Sequence, residues 1–269
     1  MDLIINISEI AIITGDNKYK TKREYLIDFW KKNVKDDFNK YKEITSFIKE
    51  TDDDVIKKIS NNNNIDLSNE LKNCIKSKNT NDLNTLKTVI FEKIGNLKEE
   101  DKKELTKSIT NLTNTKFGIK NENDVTKIYE NMTGKKIVKD NKYHKIKLFQ
   151  IDDLNIYIGG KIDGISSDSS TIIEVKNRVH KLFYDLRNYE KVQIMSYMYL
   201  FSIFKSHLVE AHKKKDETNI NIIEVLFDKT YMDYIINKIV IFIRFFSIFI
   251  NDHESKINLL KNNIEIDFS

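Results

Sequence analysis

Two acidic residues and a lysine stand where they could act on one phosphate. Asp163 precedes Gly164 at the end of the stretch YIGGKIDGI, and the stretch TIIEVKNR then carries Glu174 and Lys176. Both stretches read as strands, rich in β-branched residues, with Gly, Ser and Asp between them as turn chemistry. Residues two apart on a strand project from one face, so Glu174 and Lys176 share a face. A hairpin would bring Asp163 to them. Carboxylates held that close repel each other, and a divalent cation is a reason to hold them. Mg²⁺ takes oxygen ligands from one or two carboxylates, keeps several waters and leaves room for a substrate phosphate. The lysine would then lie beside the water that attacks phosphorus.

A lone E-x-K on a strand is more often a solvated face, and Asp-Gly is a common turn. The fuller pattern D-x10-E-x-K, with apolar residues around each acid, is more specific. The helix that follows, YEKVQIMSYMYL, adds Gln193 and Tyr197 one turn apart on one face. Upstream, FGIKNENDVTKIYENMTGKKI reads as a helix from Gly118, ended by Gly134. Glu122 is expected off its apolar stripe and near its start, where the helix dipole favours a carboxylate.

These four elements resemble the PD-(D/E)xK nuclease superfamily, in its lambda exonuclease and RecB-type branch, which includes YqaJ-like viral recombinases. The matching residues are Glu122 on a preceding helix, Asp163-Gly164, Glu174-Val175-Lys176, and Gln193-Ile-Met-Ser-Tyr197. The resemblance implies an α/β (α+β) fold: a restriction-endonuclease-like core with a central mixed β-sheet flanked by helices, and an N-terminal helical region. It implies Mg²⁺, with Mn²⁺ as a substitute, held by Asp163, Glu174 and the backbone carbonyl of Val175. Glu122, Lys176 and Gln193 would complete the catalytic set. The implied activity is 5′→3′ exonuclease on double-stranded DNA ends, in recombination, repair or viral DNA processing.

Nucleic-acid contacts are expected from Lys161 and Arg178, which lie close to the site in sequence, with Lys181 and Arg187 as further candidates. Tyr197 could contact a phosphate or pack beneath the site. In SEIAIITGDNKYKTKREYLIDFW, similar to the N-terminal part of the same nucleases, Ser8 is expected at a helix start. There it could act as an N-cap or hold a 5′-phosphate. Relatives carry a basic residue shortly before this Ser and MDLIINI has none, so Lys18, Lys20, Lys22 and Arg23 would have to compensate. A recombination or annealing protein and a homo-oligomer are partners the resemblance allows. Two other readings stay open: an endonuclease on DNA or RNA with the same fold, and a non-catalytic nucleic-acid-binding or partner-docking protein.

The elements that must position these residues follow in order. Residues 21–50 carry apolar positions at helical spacing. Residues 51–115, polar and interrupted at Asn61–Asn64 and Ser77–Asn81, predict two or three small helices inserted into a minimal nuclease. The domain division expected is therefore 1–115, an N-terminal helical region with the insertion at about 51–115, and 116–269, the nuclease core. KIKLFQI and LNIYIGGKIDGI flank Asp152-Asp153 as a hairpin, residues 171–177 give a further strand, and 183–205 the Gln193/Tyr197 helix. A polar link from His212 to Asn219 leads to the strand INIIEVLFD and a long helix over 230–250.

With 269 residues, 40% hydrophobic and 32% charged, the chain can bury one large core or a core with one added subdomain. A net charge of +4 permits an anionic partner without requiring one. A single cysteine, Cys74, excludes an intramolecular disulfide and an all-cysteine zinc or iron–sulfur site. The start Met1-Asp2 lacks a basic leader, and the apolar stretch Ile235–Ile250 is too short and too interrupted to span a bilayer, so a soluble, intracellular protein with no membrane partner is expected. His180, His207, His212 and His253 show no ligand spacing and are expected at the surface.

Overall fold

Leu3 and Ile5 alternate with more exposed neighbours, and this short pattern is a strand. In this computed structural model, which describes residues 1–215 and 217–268, β1 (Asp2–Asn6) runs parallel to β4 (Leu154–Gly160). On its other side β4 pairs antiparallel with β3 (His144–Ile151), across the Asp152-Asp153 turn expected from the sequence. Asp152 takes the left-handed conformation, φ 48°, that such a turn requires and that Asp tolerates. The three strands form one mixed sheet in the order β1-β4-β3.

A second mixed sheet runs β2-β5-β6-β7-β8. Its strands are β2 (Ile137–Val138), β5 (Gly164–Ser166), β6 (Ile172–Asn177), β7 (Lys205–Lys214) and β8 (Glu217–Leu226). β6 and β7 are parallel, and parallel neighbours need a crossover, which α8 (Asn188–Phe201) supplies. The fold is thus mixed α/β, with two mixed sheets flanked by helices rather than a single central one. β7, unforeseen, is the strand beside β6. The link expected over His212–Asn219 is instead the tip of the β7–β8 hairpin, with Asp216 outside the described residues.

Helices α1 (Ile10–Ile13), α2 (Lys22–Asn33), α3 (Lys35–Thr45), α9 (Lys229–Phe249) and α10 (His253–Lys261) cover the first sheet together with α8. Thr21 and Glu24 close a capping box at the start of α2. The core here is aromatic: Trp30 meets Phe38, Tyr41 and Phe249, and Phe29 meets Phe242 and Phe246 edge to face. Residues from β1, α2 and α9 share this cluster with α8. Among the described residues no helix is long and apolar enough to cross a membrane.

Three short helices, α4 (Asp52–Asn62), α5 (Ser68–Lys76) and α6 (Thr80–Lys93), occupy the segment expected to hold two or three. They bury a separate cluster, including Val55, Cys74, Leu83 and Ile90, against Leu105 and Ile109 of α7 (Glu99–Thr133). This last helix is 35 residues long and uninterrupted, so the line expected at 115/116 falls inside it. Its second half packs Val125 and Tyr129 on Ile173, Val175 and Val209 of the second sheet. One rod therefore connects this second cluster to the strands that carry the acidic pair. Gly134, at φ 70°, ends it, as expected. Of the four histidines, His207 departs from the surface placement: it is buried, and its Nδ1 lies 2.7 Å from the Tyr129 hydroxyl.

Candidate active site

On β6 the pleat sends Ile173 and Val175 toward α7, and Glu174 and Lys176 to the other face, under α8. There the Lys176 ammonium lies 2.7 Å from Glu174 Oε1 and 3.2 Å from Gln193 Oε1. Gln193 Nε2 donates to the same Glu174 oxygen at 2.9 Å, closing a three-membered polar cluster. Glu174 is 3% exposed, while the Lys176 side chain keeps 25% of its surface open to the cavity. Burial pulls the Lys176 pKa down, but the Glu174 carboxylate and its hydrogen bond, with Asp163 and Glu190 behind them, more than offset it. The pKa ends above its ordinary value and the ammonium stays charged.

Asp163 reaches this cluster from the linker between β4 and β5, where the chain passes from one sheet to the other. Two contacts hold the linker. The Tyr197 hydroxyl donates to the Lys161 carbonyl at 2.6 Å, and the Val175 amide donates to Asp163 Oδ2 at 2.8 Å. Tyr197 passes so close to Gly160 that a Cβ there would lie 2.9 Å from its ring, which is why a glycine ends β4. Burial, and then the neighbouring Glu174 charge, push the Asp163 carboxyl up to about 8, against the opposing pull of the Val175 amide and Lys176. Burial and the same glutamate raise the Tyr197 phenol far above its usual range.

The cavity over these groups, about 860 Å³, is also lined by Glu122, Ser8, Lys161 and Arg178. All ten residues expected at the site therefore lie around one opening, but not all in the roles expected. Glu122 sits in the body of α7, about six turns from its start at 3.6 residues per turn, so the helix dipole does not favour it there. It forms an ion pair with Lys139 at 2.9 Å and adds to the charge felt by Asp163. Ser8 lies inside a 3-10 turn, Ile7–Glu9, and caps nothing; α1 after it has only four residues. Three of the four cations expected to help it are engaged: Lys20 with Glu9 and Asp28, Lys22 with Asp267, and Arg23 with backbone carbonyls of Leu259 and Asn262; Lys18 lines a neighbouring cleft.

Arg178 is the clearest reassignment. Its side chain is 8% exposed and lies between two fully buried carboxylates, Glu190 at 2.8 Å and Glu210 at 2.7 Å. Glu210 also accepts the amides of Phe183 and Tyr184, so the pair fixes the loop after β6. Tyr197 is likewise buried, with its hydroxyl spent on Lys161. Lys161 itself is exposed, and among the described residues no carboxylate pairs with its ammonium. Asn6, Tyr143 and Asn177 line the cavity without having been anticipated. The Tyr143 hydroxyl donates to Asn6 Oδ1 at 3.0 Å, a contact between β1 and the start of β3 that no local pattern announces.

Among the described residues no group of three or more His, Cys, Asp or Glu is placed to hold a metal ion. The adjacent carboxylates Asp163 and Glu174, with the Val175 carbonyl next to Glu174 in sequence, form an all-oxygen donor set of low number. That set fits Mg²⁺, which keeps much of its water shell, and not a closed zinc site.

No protein-family model matches this chain, and no curated protein matches its sequence. Among solved structures it is similar to an alkaline exonuclease from Laribacter hongkongensis, with 16% identity over 51% of this chain and 70% of that one, at a TM-score of 0.39. The same exonuclease in complex with dAMP aligns over 68% of this chain and 88% of that one, with 11% identity and a TM-score of 0.41. A phage-related exonuclease from Haemophilus somnus 129PT aligns over 47% of this chain and 67% of that one, with 14% identity and a TM-score of 0.37.

Proposed function

We propose that this chain is a metal-dependent nuclease that hydrolyses DNA phosphodiester bonds, acting as a 5′→3′ exonuclease on double-stranded ends. The observation that supports it is the Lys176 ammonium held between Glu174 and Gln193, beside the Asp163 carboxyl, in one open cavity. A structural ion pair has no need of a second carboxylate pushed up to about 8 beside it. The end preference and polarity rest on the motif resemblance, not on the cavity.

Asp163, Glu174 and the Val175 carbonyl would hold Mg²⁺, with Mn²⁺ as a substitute. When bound, the ion supplies Lewis-acid polarisation of the phosphate and a more acidic water. The remaining work falls to the chain. Lys176 carries a fixed positive charge to the point where negative charge grows on the phosphoryl oxygens, and a preformed charge there stabilises the transition state more than the ground state. Gln193 holds both Lys176 and Glu174 and so keeps the ammonium from swinging to solvent. Tyr197 fixes the Lys161–Asp163 linker from below. Lys161, exposed at the rim, is available for a backbone phosphate.

The test is incubation of linear duplex, covalently closed circular DNA and RNA with Mg²⁺ and with EDTA. Mg²⁺-dependent loss of linear DNA, with circles intact and 5′ ends consumed first, is the expected result. Nicking of circles would replace the exonuclease by an endonuclease, and no metal-dependent loss of any substrate would overturn the nuclease reading.

A further inference from the structure

The long helix α7 carries a second feature, on a face its core packing leaves open. Lys103, Thr106, Lys107, Thr110, Asn111 and Asn114 recur at intervals of three and four, one continuous stripe of the helix. The same stripe continues as Thr115, Gly118 and Glu122 into the cavity over Lys176. From residue 103 to residue 122 it runs about 28 Å.

This stripe is one wall of a groove of about 770 Å³, and the loop after β6 is the other, with His180, Lys181 and Phe183. Thr115, Asn177 and Arg178 line both the groove and the site cavity, so the two are continuous. In a chain with 41 Asp and Glu residues, the groove lining contains none. Lys103, Lys107 and Lys181 are exposed, and among the described residues no carboxylate pairs with them. Uncompensated positive charge along a polar groove is the footprint of a phosphate backbone.

The wall beside Arg178 is aromatic. Tyr19, 72% exposed, stands edge-to-face on Tyr189 at 5.8 Å. Beside them Phe183 is held between the guanidinium groups of Arg178 and Arg187, each 4.4 Å from its ring. This wall adjoins a smaller cleft where Lys18 and Arg187 are balanced by Asp16 and Asp185, so it offers ring surface rather than net charge. Exposed rings beside a basic track are platforms for unpaired bases; in a duplex the bases already stack on one another.

We propose that this groove binds single-stranded nucleic acid, with Lys103 and Lys107 tracking its phosphates and Tyr19 stacking on a base. The strand leads along α7 toward Lys176. That direction rests on the nuclease reading; the binding itself does not. The insertion of residues 51–115 then has a physical role, because its buried cluster fixes the first half of α7 as a rigid wall beside the site.

The test is fluorescence anisotropy of labelled oligothymidylate and of labelled blunt duplex in EDTA, with wild type, Lys103→Glu/Lys107→Glu and Tyr19→Ala. Wild type should bind the single strand. The double variant should weaken that binding at least about tenfold and flatten the slope of log affinity against log salt by about 1.4, about 0.7 for each lost contact. Tyr19→Ala should weaken it by about tenfold with the slope unchanged. All three sites are exposed, and melting temperatures should stay with wild type. No binding of oligothymidylate by wild type, or equal binding by all three proteins, overturns the groove. A duplex bound more tightly than the single strand, and lost in the same variants, also overturns it. Binding that behaves as expected in a protein without Mg²⁺-dependent hydrolysis leaves the groove standing and removes the nuclease reading alone.

Discussion

The Val175 amide donates a 2.8 Å hydrogen bond to Asp163 Oδ2, and that bond ties the linker between the two sheets to the strand carrying Glu174 and Lys176. Neither sheet alone holds the site. β4 delivers Asp163 from one, β6 delivers the glutamate and lysine from the other, and the amide sets the distance between them. A buried carboxylate and a half-buried one result, with one ammonium beside them.

The first prediction concerns pH and the metal-free protein. Asp163 binds its proton more tightly folded, up to about 8, than unfolded, near 3.8. Its contribution to stability is therefore fully present below the unfolded value and is lost as pH rises from about 4 to about 8, on the order of several kcal/mol. Asp163→Asn cannot ionise, so in EDTA the melting temperature of the variant relative to wild type should climb over that interval. Added Mg²⁺ should then raise the melting temperature of wild type at pH 8 and leave the variant unmoved. Parallel melting curves for the two proteins across the range would contradict the assignment.

Tyr197 separates a prop from a substrate contact. Tyr197→Phe removes the 2.6 Å bond to the Lys161 carbonyl while keeping the ring against Gly160. A loss of about 1 kcal/mol in stability is expected, with kcat lowered severalfold and KM unchanged, because the linker carrying Asp163 loosens. A raised KM at constant kcat would return Tyr197 to the phosphate.

Arg178 should matter for folding before it matters for DNA. Arg178→Met leaves Glu190 and Glu210 buried without their cation, which costs about 3–5 kcal/mol. Chemical denaturation should show that loss, and affinity for DNA measured well below the new melting point should stay near wild type. A stable variant with weakened, less salt-dependent DNA binding would contradict it.

How much of this was legible in the sequence depended on range. The Asp152-Asp153 hairpin, the β6 face shared by Glu174 and Lys176, the Gln193/Tyr197 spacing and the Gly134 stop are local, set by pleat, pitch and turn chemistry within a few residues. β1 was hidden because DLIIN becomes a strand only by pairing with β4, far away in sequence. β7 was hidden because KSHLVEAHKK mixes charge into a strand whose Glu210 is neutralised by Arg178, a residue 32 positions away. The upstream half of α7 carries weak apolar spacing, Leu105 and Ile109, that acquires meaning only against α4 and α5. Arg178 looked like a phosphate contact because its sequence position adjoins the site, and position says nothing of the two carboxylates that enclose it.

On the proposed chemistry Lys176 serves the transition state, with Asp163 and Glu174 holding the cation beside it. Its most direct test is the rate of nucleotide release from linear duplex DNA at saturating Mg²⁺, measured beside DNA affinity, for wild type and Lys176→Met. Lys176→Met should be slower by about a hundredfold or more with affinity changed little, since many phosphate contacts share the binding. An unchanged rate with weakened affinity would contradict it, and would make Lys176 one more charge in the groove.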